Sequence, residues 1–422
     1  MWECTADWSV GRDRGVRGLA KGTLGRLDSR RRLGVQVHLL DVWDKSLQEL
    51  GENLSVEVNP DSPGAALLSS PTPLPRGSRV FVNMVKTTVD HFQEVAATSR
   101  SLSAAGYRPV PHVPVSRLST DEEFQQTLQM LTEAGATEML LVGGNDIKER
   151  QERGLLLYGS VAELLQAETG RLRAAGIRRV ALAGLPDSPT WRGWNEEVAT
   201  KVLLEKVRLV LEAGLDVEVV TQFCFNPFKL LRWLTRTHSA MEGLRADLGG
   251  VGSAQLSVGL PGPTQRSRLL RISDICQVPS QYAAPSMFQT ILQEGGGPPD
   301  FSCLGHGLQA AATERASRLE RLGPPELALL LSQLSELELE KSSEPAPTSA
   351  DALGPSAFVS SHEDAPGDEE ESLISPEDLL WSVAAFAQRS RASVSVNLYP
   401  FGGLSKSLVL AETLRSGRLS TP

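Results

Sequence analysis

With 422 residues, 41% of them hydrophobic, the chain can bury one large core and still carry additions. No apolar run reaches the roughly 18 residues of a membrane span, and no dominant basic field points to nucleic acid. The formal net charge is −9, but residues 341–378 hold ten acids and one lysine, so the rest is near neutral and implies no partner for the folded body.

Residues 1–33 are Gly/Arg-rich, end in Arg30-Arg31-Arg32 and lack the apolar core of a signal peptide. They read as a disordered extension; an organelle transit peptide is the alternative, and Glu3, Asp7, Asp13 and Asp28 count against it. The expected compartment is the cytoplasm, with the mitochondrion as the alternative. From residue 34 strands and helices alternate. Leu54–Val58 is a short alternating strand that ends in Asn59-Pro60, and Arg79–Met84 is a second, followed by a helical pattern over 90–105. Arg108–Val115 is a third, with His112 between prolines. Residues 120–134 form an amphipathic helix that Thr120 can cap, with Glu123 three residues on. Glu138–Val142 is a fourth strand and runs into Gly143-Gly144-Asn145-Asp146.

A helix over 159–175 leads to a fifth strand, Arg178–Ala183, and the loop Gly184-Leu185-Pro186-Asp187. A helix over 194–213 feeds the sixth strand, in Val217–Asn226, whose Val217, Val219 and Val220 suit a buried pleated strand. Thr221 and Gln222 fall at its C-terminal end, and Pro227 blocks simple continuation. Residues 228–245 are helical, Ala254–Leu260 is a seventh strand before Pro261-Gly262-Pro263-Thr264 and another helix, and Ala392–Leu398 is an eighth. Eight strands alternating with helices is the pattern of an α/β (β/α)8 barrel. The barrel would take 34–340, with added helices over about 283–340, and 376–422, which supply the last helix pair and strand. Between them 341–375, rich in Ser, Pro, Ala, Asp and Glu, cannot bury enough surface to offset its ordering entropy and reads as a disordered acidic insertion.

A barrel binds its ligands at the C-terminal ends of the strands. Those ends carry Glu57, Asn83, His112, Asp146, Asp187, Gln222 and Asn397. Glu57 sits between Val56 and Val58 and faces the opposite side; a closed barrel has no edge at which to solvate such a carboxylate. Asp146 also suits a helix cap or turn, His112 a structural histidine, and Gln222 a side chain that satisfies loop backbone. The four cysteines (Cys4, Cys224, Cys276, Cys303) are scattered, with no Cys-x-x-Cys pair and no ligand-spaced histidines, which argues against a metal site or a disulfide framework. No Gly-x-Gly-x-x-Gly fingerprint is present.

Taken in order, seven of these segments resemble the flavin-dependent methylenetetrahydrofolate reductase family. They are Ser55–Pro60, Pro111-His112-Val113, Leu141–Asp146, Gly184-Leu185-Pro186-Asp187, Thr221–Asn226, the segment Gly259–Val278, and Tyr399-Pro400-Phe401-Gly402-Gly403. The resemblance covers about 54–282 and resumes over about 392–415. It implies FAD at the C-terminal face of the barrel, NAD(P)H as the reductant and 5,10-methylenetetrahydrofolate as the hydride acceptor. It implies that Glu57 is the general acid, a role that needs a carboxyl neutral near pH 7. Asp146 matches the carboxylate beside the flavin pyrimidine end and the pterin. Gln222 matches the folate-binding amide, and Asn83, His112, Gly144 and Leu185 fall where the family lines the flavin.

Departures accompany the match. Gly144 stands where the family has the arginine of its Arg-Gly-Asp motif, Leu185 and Asp187 replace the tyrosine and glutamate of the next loop, Asn226 replaces an aspartate, and Arg266 falls where some members stack an aromatic residue on folate. Two other readings stand beside a reductase: a flavin enzyme acting on another C1 or pterin substrate, and a degenerate barrel that serves as a binding or regulatory partner. A homo-oligomer is compatible with the sequence; nucleic-acid and membrane partners are not expected.

Overall fold

The computed structural model describes residues 46–60, 74–84, 91–144, 147–186, 195–276, 278, 373–374 and 376–417. The expected N-terminal extension, the helices over 283–340, the acidic insertion apart from Leu373-Ile374, Asp146 and Asp187 lie outside the described residues. Leu373 and Ile374 form a short strand within 341–375, where the composition predicts disorder.

Four strands are entered through one type of turn. Helix α1 (His91–Ala104) precedes β3 (Arg108–Pro114), α2 (Asp121–Glu133) precedes β4 (Glu138–Val142), and a short α3 (Ile147–Glu152) is followed by α4 (Val161–Ala174), which precedes β5 (Arg179–Gly184). Helix α5 (Glu196–Glu212) then precedes β6 (Asp216–Thr221). Each of the four entries carries a glycine of positive φ just past the helix: Gly106, Gly135, Gly176 and Gly214. The next N–H then reaches back five residues, as in Tyr107 N–H to Leu102 O at 3.0 Å and Ile177 N–H to Leu172 O at 3.1 Å. These bonds satisfy carbonyls that the helix end would leave unpaired and turn the chain back into the sheet. The opposite ends are capped as the sequence suggests: Thr120 accepts the Glu123 N–H at 3.2 Å, and Glu123 in return accepts the Ser119 N–H at 2.8 Å.

The remaining elements are β1 (Ser55–Val58), β2 (Arg79–Val82), α6 (Pro227–Asp247), β7 (Ala254–Pro261), the two-residue β8 (Thr264–Gln265), α7 (Arg266–Cys276), the two-residue β9 (Leu373–Ile374), α8 (Glu377–Ser390), β10 (Val394–Tyr399) and α9 (Leu404–Arg415). Eight of the strands close in the order β1-β10-β7-β6-β5-β4-β3-β2. Every pairing around the ring is parallel, and β1 seals it against β10 through Ser55↔Asn397 and Val56↔Leu398. The (β/α)8 barrel expected from the alternation is thus the architecture, with strand limits within a few residues of those expected. Two features have no counterpart in the sequence reading: α3, none of whose residues is buried, and the antiparallel pair β8–β9, which joins the two flanks of the long insertion. The chain after the insertion returns to the barrel wall through α8, where Phe386 meets the His238 ring of α6 edge-on at 6.0 Å. No helix among the described residues is long and apolar enough to cross a membrane.

Period-two alternation sorts the strand residues between two cores. Val56, Val80, Val82, Val217, Val219, Val258 and Val396 point to the helices and are buried. Inside the barrel Phe81, Val110, Leu140, Ala181 and Val220 form one apolar cluster. Below it, at the N-terminal ends of the strands, lies an ionic floor. Arg79 is bonded to the fully buried Glu218, and its second amino group donates to Ser395 Oγ at 3.3 Å. Glu138 faces Arg79 at 3.8 Å, Arg179 at 3.7 Å and Arg108 at 3.4 Å.

A buried charge stripped of its partner is costly. Arg79→Met should therefore destabilise the fold by about 3–5 kcal/mol, because Glu218 is left uncompensated. The double variant Arg79→Met/Glu218→Leu should recover much of that loss. Urea unfolding midpoints of the three proteins check this; a single variant as stable as the parent would remove the floor from the list of determinants.

Candidate functional site at the barrel mouth

The third residue of β1 is Glu57. Its neighbours Val56 and Val58 are buried against helices, so strand alternation turns Glu57 inward, on the side of Ser55. Across the ladder Glu57 is in register with Phe81 of β2. Asn83, one residue past β2, keeps the ladder going by donating its N–H to Val58 O at 2.9 Å. Its side chain then lies on the inner side, two residues above Phe81. His112 of β3 is in register with Leu140 and meets the Phe81 ring edge-on at 6.1 Å. The three polar side chains converge. Asn83 Nδ2 donates to Glu57 Oε1 at 2.8 Å, and His112 Nε2 lies 3.7 Å from Glu57 Oε2. Glu57 and His112 keep only 15% and 13% of their side-chain surface exposed.

The electrostatics follow from that burial. Loss of solvent pushes the Glu57 carboxyl from 4.5 up to about 7, against the opposing pull of the Asn83 amide. The same loss holds the His112 imidazole down to about 3, so it is neutral at physiological pH. Among the described residues, His112 Nε2 and Asn83 Oδ1 are buried with no hydrogen-bond partner. Two further titratable groups feel the Glu57 charge: burial and then Glu57 raise the Cys276 thiol to about 11 and the Tyr399 hydroxyl well beyond its ordinary range.

Tyr399 and Cys276 carried no role in the sequence reading. Tyr399 ends β10 and lies across Gly259 of β7, where a Cβ would collide with its ring. Its hydroxyl donates to Thr221 O at 2.8 Å, while Thr221 Oγ1 accepts the Gly259 N–H at 2.9 Å. The Tyr399 ring is stacked on Phe401 at 5.7 Å and meets Phe223 edge-on at 6.2 Å. One side of the mouth is therefore a wall of aromatic rings over β6, β7 and β10. The available signal was a strand-end tyrosine in phase with Asn397, on the inner face of β10.

The other expected residues fall around the same rim. Gly144 follows β4 with φ +92°, a conformation that favours glycine, and Leu185 follows β5 half-buried. Gln222 follows β6; its N–H donates to Gly184 O at 2.8 Å, and its Oε1 accepts the Phe223 N–H at 3.1 Å. The carbonyl end of this amide thus satisfies loop backbone. The structure gathers Glu57, Asn83 and His112 into one cluster and sets Gln222 on another part of the rim. A separate depression of about 630 Å³ lies on the outer wall between α5 and α6, lined by Lys201, Glu205, Arg208 and Asp247 among others; it is open and remote from the strand C-termini. We place the site at the mouth, where the perturbed groups and unpartnered polar atoms coincide. No protein-family model matches the chain.

Glu57 binds its proton more tightly in the fold than in the unfolded chain. That contribution is complete below about pH 4.5 and lost as pH rises through about 7, which corresponds to about 3 kcal/mol. Glu57→Gln should abolish this term, so its stability relative to the parent should rise by about that amount between acid and mildly alkaline pH. His112, whose lowered value gives stability that is lost on acidification, is common to both proteins. Urea titrations at a series of pH values check it; two parallel stability curves would mean that Glu57 is solvated.

Proposed function

We propose that this barrel is a flavin-dependent reductase of the methylenetetrahydrofolate reductase type, and that Glu57 is its general acid. The observation that carries the reading is a carboxyl at the mouth of a parallel barrel, held by burial at about 7 and bonded to Asn83. An acid in that range is half-protonated at neutral pH and still strong enough to give its proton up, which suits ring opening of a folate aminal.

The residues present are compatible with the ring part of FAD. The rim between β3 and β5 offers Gly144, without a side chain, and the apolar Leu185, so a flat heteroaromatic ring meets little steric resistance. Asn83 Oδ1, unpartnered among the described residues, supplies a polar atom that a ligand can pair. When bound, FAD would supply the hydride relay between NAD(P)H and the folate carbon. The protein's own part is proton delivery and orientation. Glu57 gives a proton to the folate ring nitrogen and exposes an electrophilic carbon. Gln222, its carbonyl held by the Phe223 N–H, presents its amide NH₂ to the pterin edge. The aromatic wall of Tyr399, Phe401 and Phe223 keeps water from one flank. Asp146, outside the described residues, is assigned the carboxylate role beside the flavin on the resemblance alone.

Two measurements test the reading. Purified protein should show a flavin absorption spectrum, or gain thermal stability with added FAD; neither effect would leave a barrel of some other function. In anaerobic stopped-flow, Glu57→Gln should reduce its flavin with NAD(P)H within a modest factor of the parent. Reoxidation by methylenetetrahydrofolate should slow by about 10²–10⁴-fold, the usual contribution of a positioned acid. Equal loss of both halves would make Glu57 a flavin contact or a structural residue.

A further inference from the structure

We propose that Glu57 and His112 form a pair that shares a single proton, with His112 the positioning residue that reloads Glu57 after each proton transfer. This rests on the reading of Glu57 as the acid and adds a function for His112, which the sequence placed among flavin contacts.

The two carboxyl oxygens of Glu57 have different surroundings. Oε1 accepts from Asn83 Nδ2 at 2.8 Å, the environment of a carbonyl oxygen. Oε2 faces His112 Nε2 at 3.7 Å, and that nitrogen is buried and has no hydrogen-bond partner among the described residues. A buried polar atom without a partner is costly. A proton on Glu57 Oε2 removes the difficulty: the O–H donates to the neutral Nε2 once the pair closes by under about 1 Å, to the usual hydrogen-bond distance. A proton on Nε2 removes it equally, with the N–H donating to the carboxylate. With the imidazole's own proton on Nδ1 and no proton between the pair, a bare carboxylate and a lone pair face each other. The site is thus built for one proton, shared by the two groups, whose titration belongs to the pair.

The proton balance is simple. Glu57 Oε2–H gives its proton to the substrate nitrogen and is left as the carboxylate. That new charge draws a proton from solvent onto His112 Nε2. The imidazolium passes it to Oε2, which restores the neutral acid and the neutral imidazole. Other groups around the pair among the described residues leave this count unchanged. Asn83 from β2 does not titrate, and the Phe81 ring packs edge-on against the imidazole. Tyr399 from β10 and Cys276 from the end of α7 are both raised and stay neutral.

The test needs no substrate. In full-length protein labelled with ¹³C at glutamate carboxyls and ¹⁵N in histidine rings, the Glu57 carboxyl and the His112 ring nitrogen should move with one common midpoint across neutral pH. Glu57→Gln and His112→Gln spectra assign the two signals. Asn83→Ala should raise the common midpoint, because it removes a bond that favours the carboxylate. A His112 signal that stays flat while Glu57 titrates would overturn the pair, whether or not the protein proves to be a reductase. If the flavin chemistry holds, His112→Gln should slow steady-state turnover by about 10²-fold, the lower end for a positioned proton-transfer group, and by more than it slows the first folate turnover of pre-protonated enzyme. An equal fall in both would mean that His112 contacts flavin or substrate and does not reload the acid.

Discussion

Closure of the ring is the constraint on which the rest depends. Strand β1 meets β10 across more than three hundred residues of chain, through a short register in which the fully buried Ser55 donates to Asn397 Oδ1 at 2.9 Å. Once closed, the sheet has no edge, and no inward polar group can turn to solvent along its side. Each must find a partner inside, reach one of the two ends, or remain in its neutral form. The floor takes the first course. Arg79 and Glu218 neutralise each other below the apolar cluster of Phe81, Val110, Leu140, Ala181 and Val220. Glu57 takes the last.

The contrast between these two carboxylates shows what decides which of them keeps its proton. Glu218 is more deeply buried than Glu57, yet it has an arginine as a direct partner. Glu57 has an amide on one oxygen and a neutral imidazole on the other. Neither neighbour supplies positive charge, so desolvation decides and the proton stays on. Depth of burial alone separates a structural acid from a reactive one poorly. The formal charge of the nearest partner separates them well.

The alternation of Val with polar residues made the strands legible, and with them the ring. The helix ends were legible because Ala-Gly pairs and Thr120 with Glu123 carry local capping chemistry. What could not be read was anything that depends on register between strands far apart in the chain. Asn83, His112 and Glu57 were each visible as strand-end residues, but their convergence depends on β2 standing between β1 and β3 with Glu57 level with Phe81. The role of Tyr399 depends on a glycine about 140 residues away in the chain, since only Gly259 leaves room for its ring. Helix α3 has no buried face, and so no periodicity for a sequence reading to find. The β8–β9 pair joins segments more than a hundred residues apart with two residues each, far below any compositional signal.

The departures from the family pattern are unevenly distributed around the mouth. On the side of β1 to β3, Glu57, Asn83 and His112 form a bonded cluster whose neutral charge state is consistent with proton transfer. Three of the departures, Gly144, Leu185 and Asn226, follow β4, β5 and β6, and a fourth, Arg266, opens α7. Under the proposed reading, a glycine and a leucine in place of an arginine and a tyrosine take charge and aromatic surface from the surroundings of the flavin without touching the acid. Changes of that kind alter how tightly a cofactor is held, and which pyridine nucleotide is accepted, before they alter the protonation chemistry. Once ionised, above about pH 7, the buried Glu57 costs about 3 kcal/mol relative to a solvated carboxyl. A binding platform gains nothing from that cost, whereas the proposed proton donor requires the same burial, and this difference supports an enzyme over a platform.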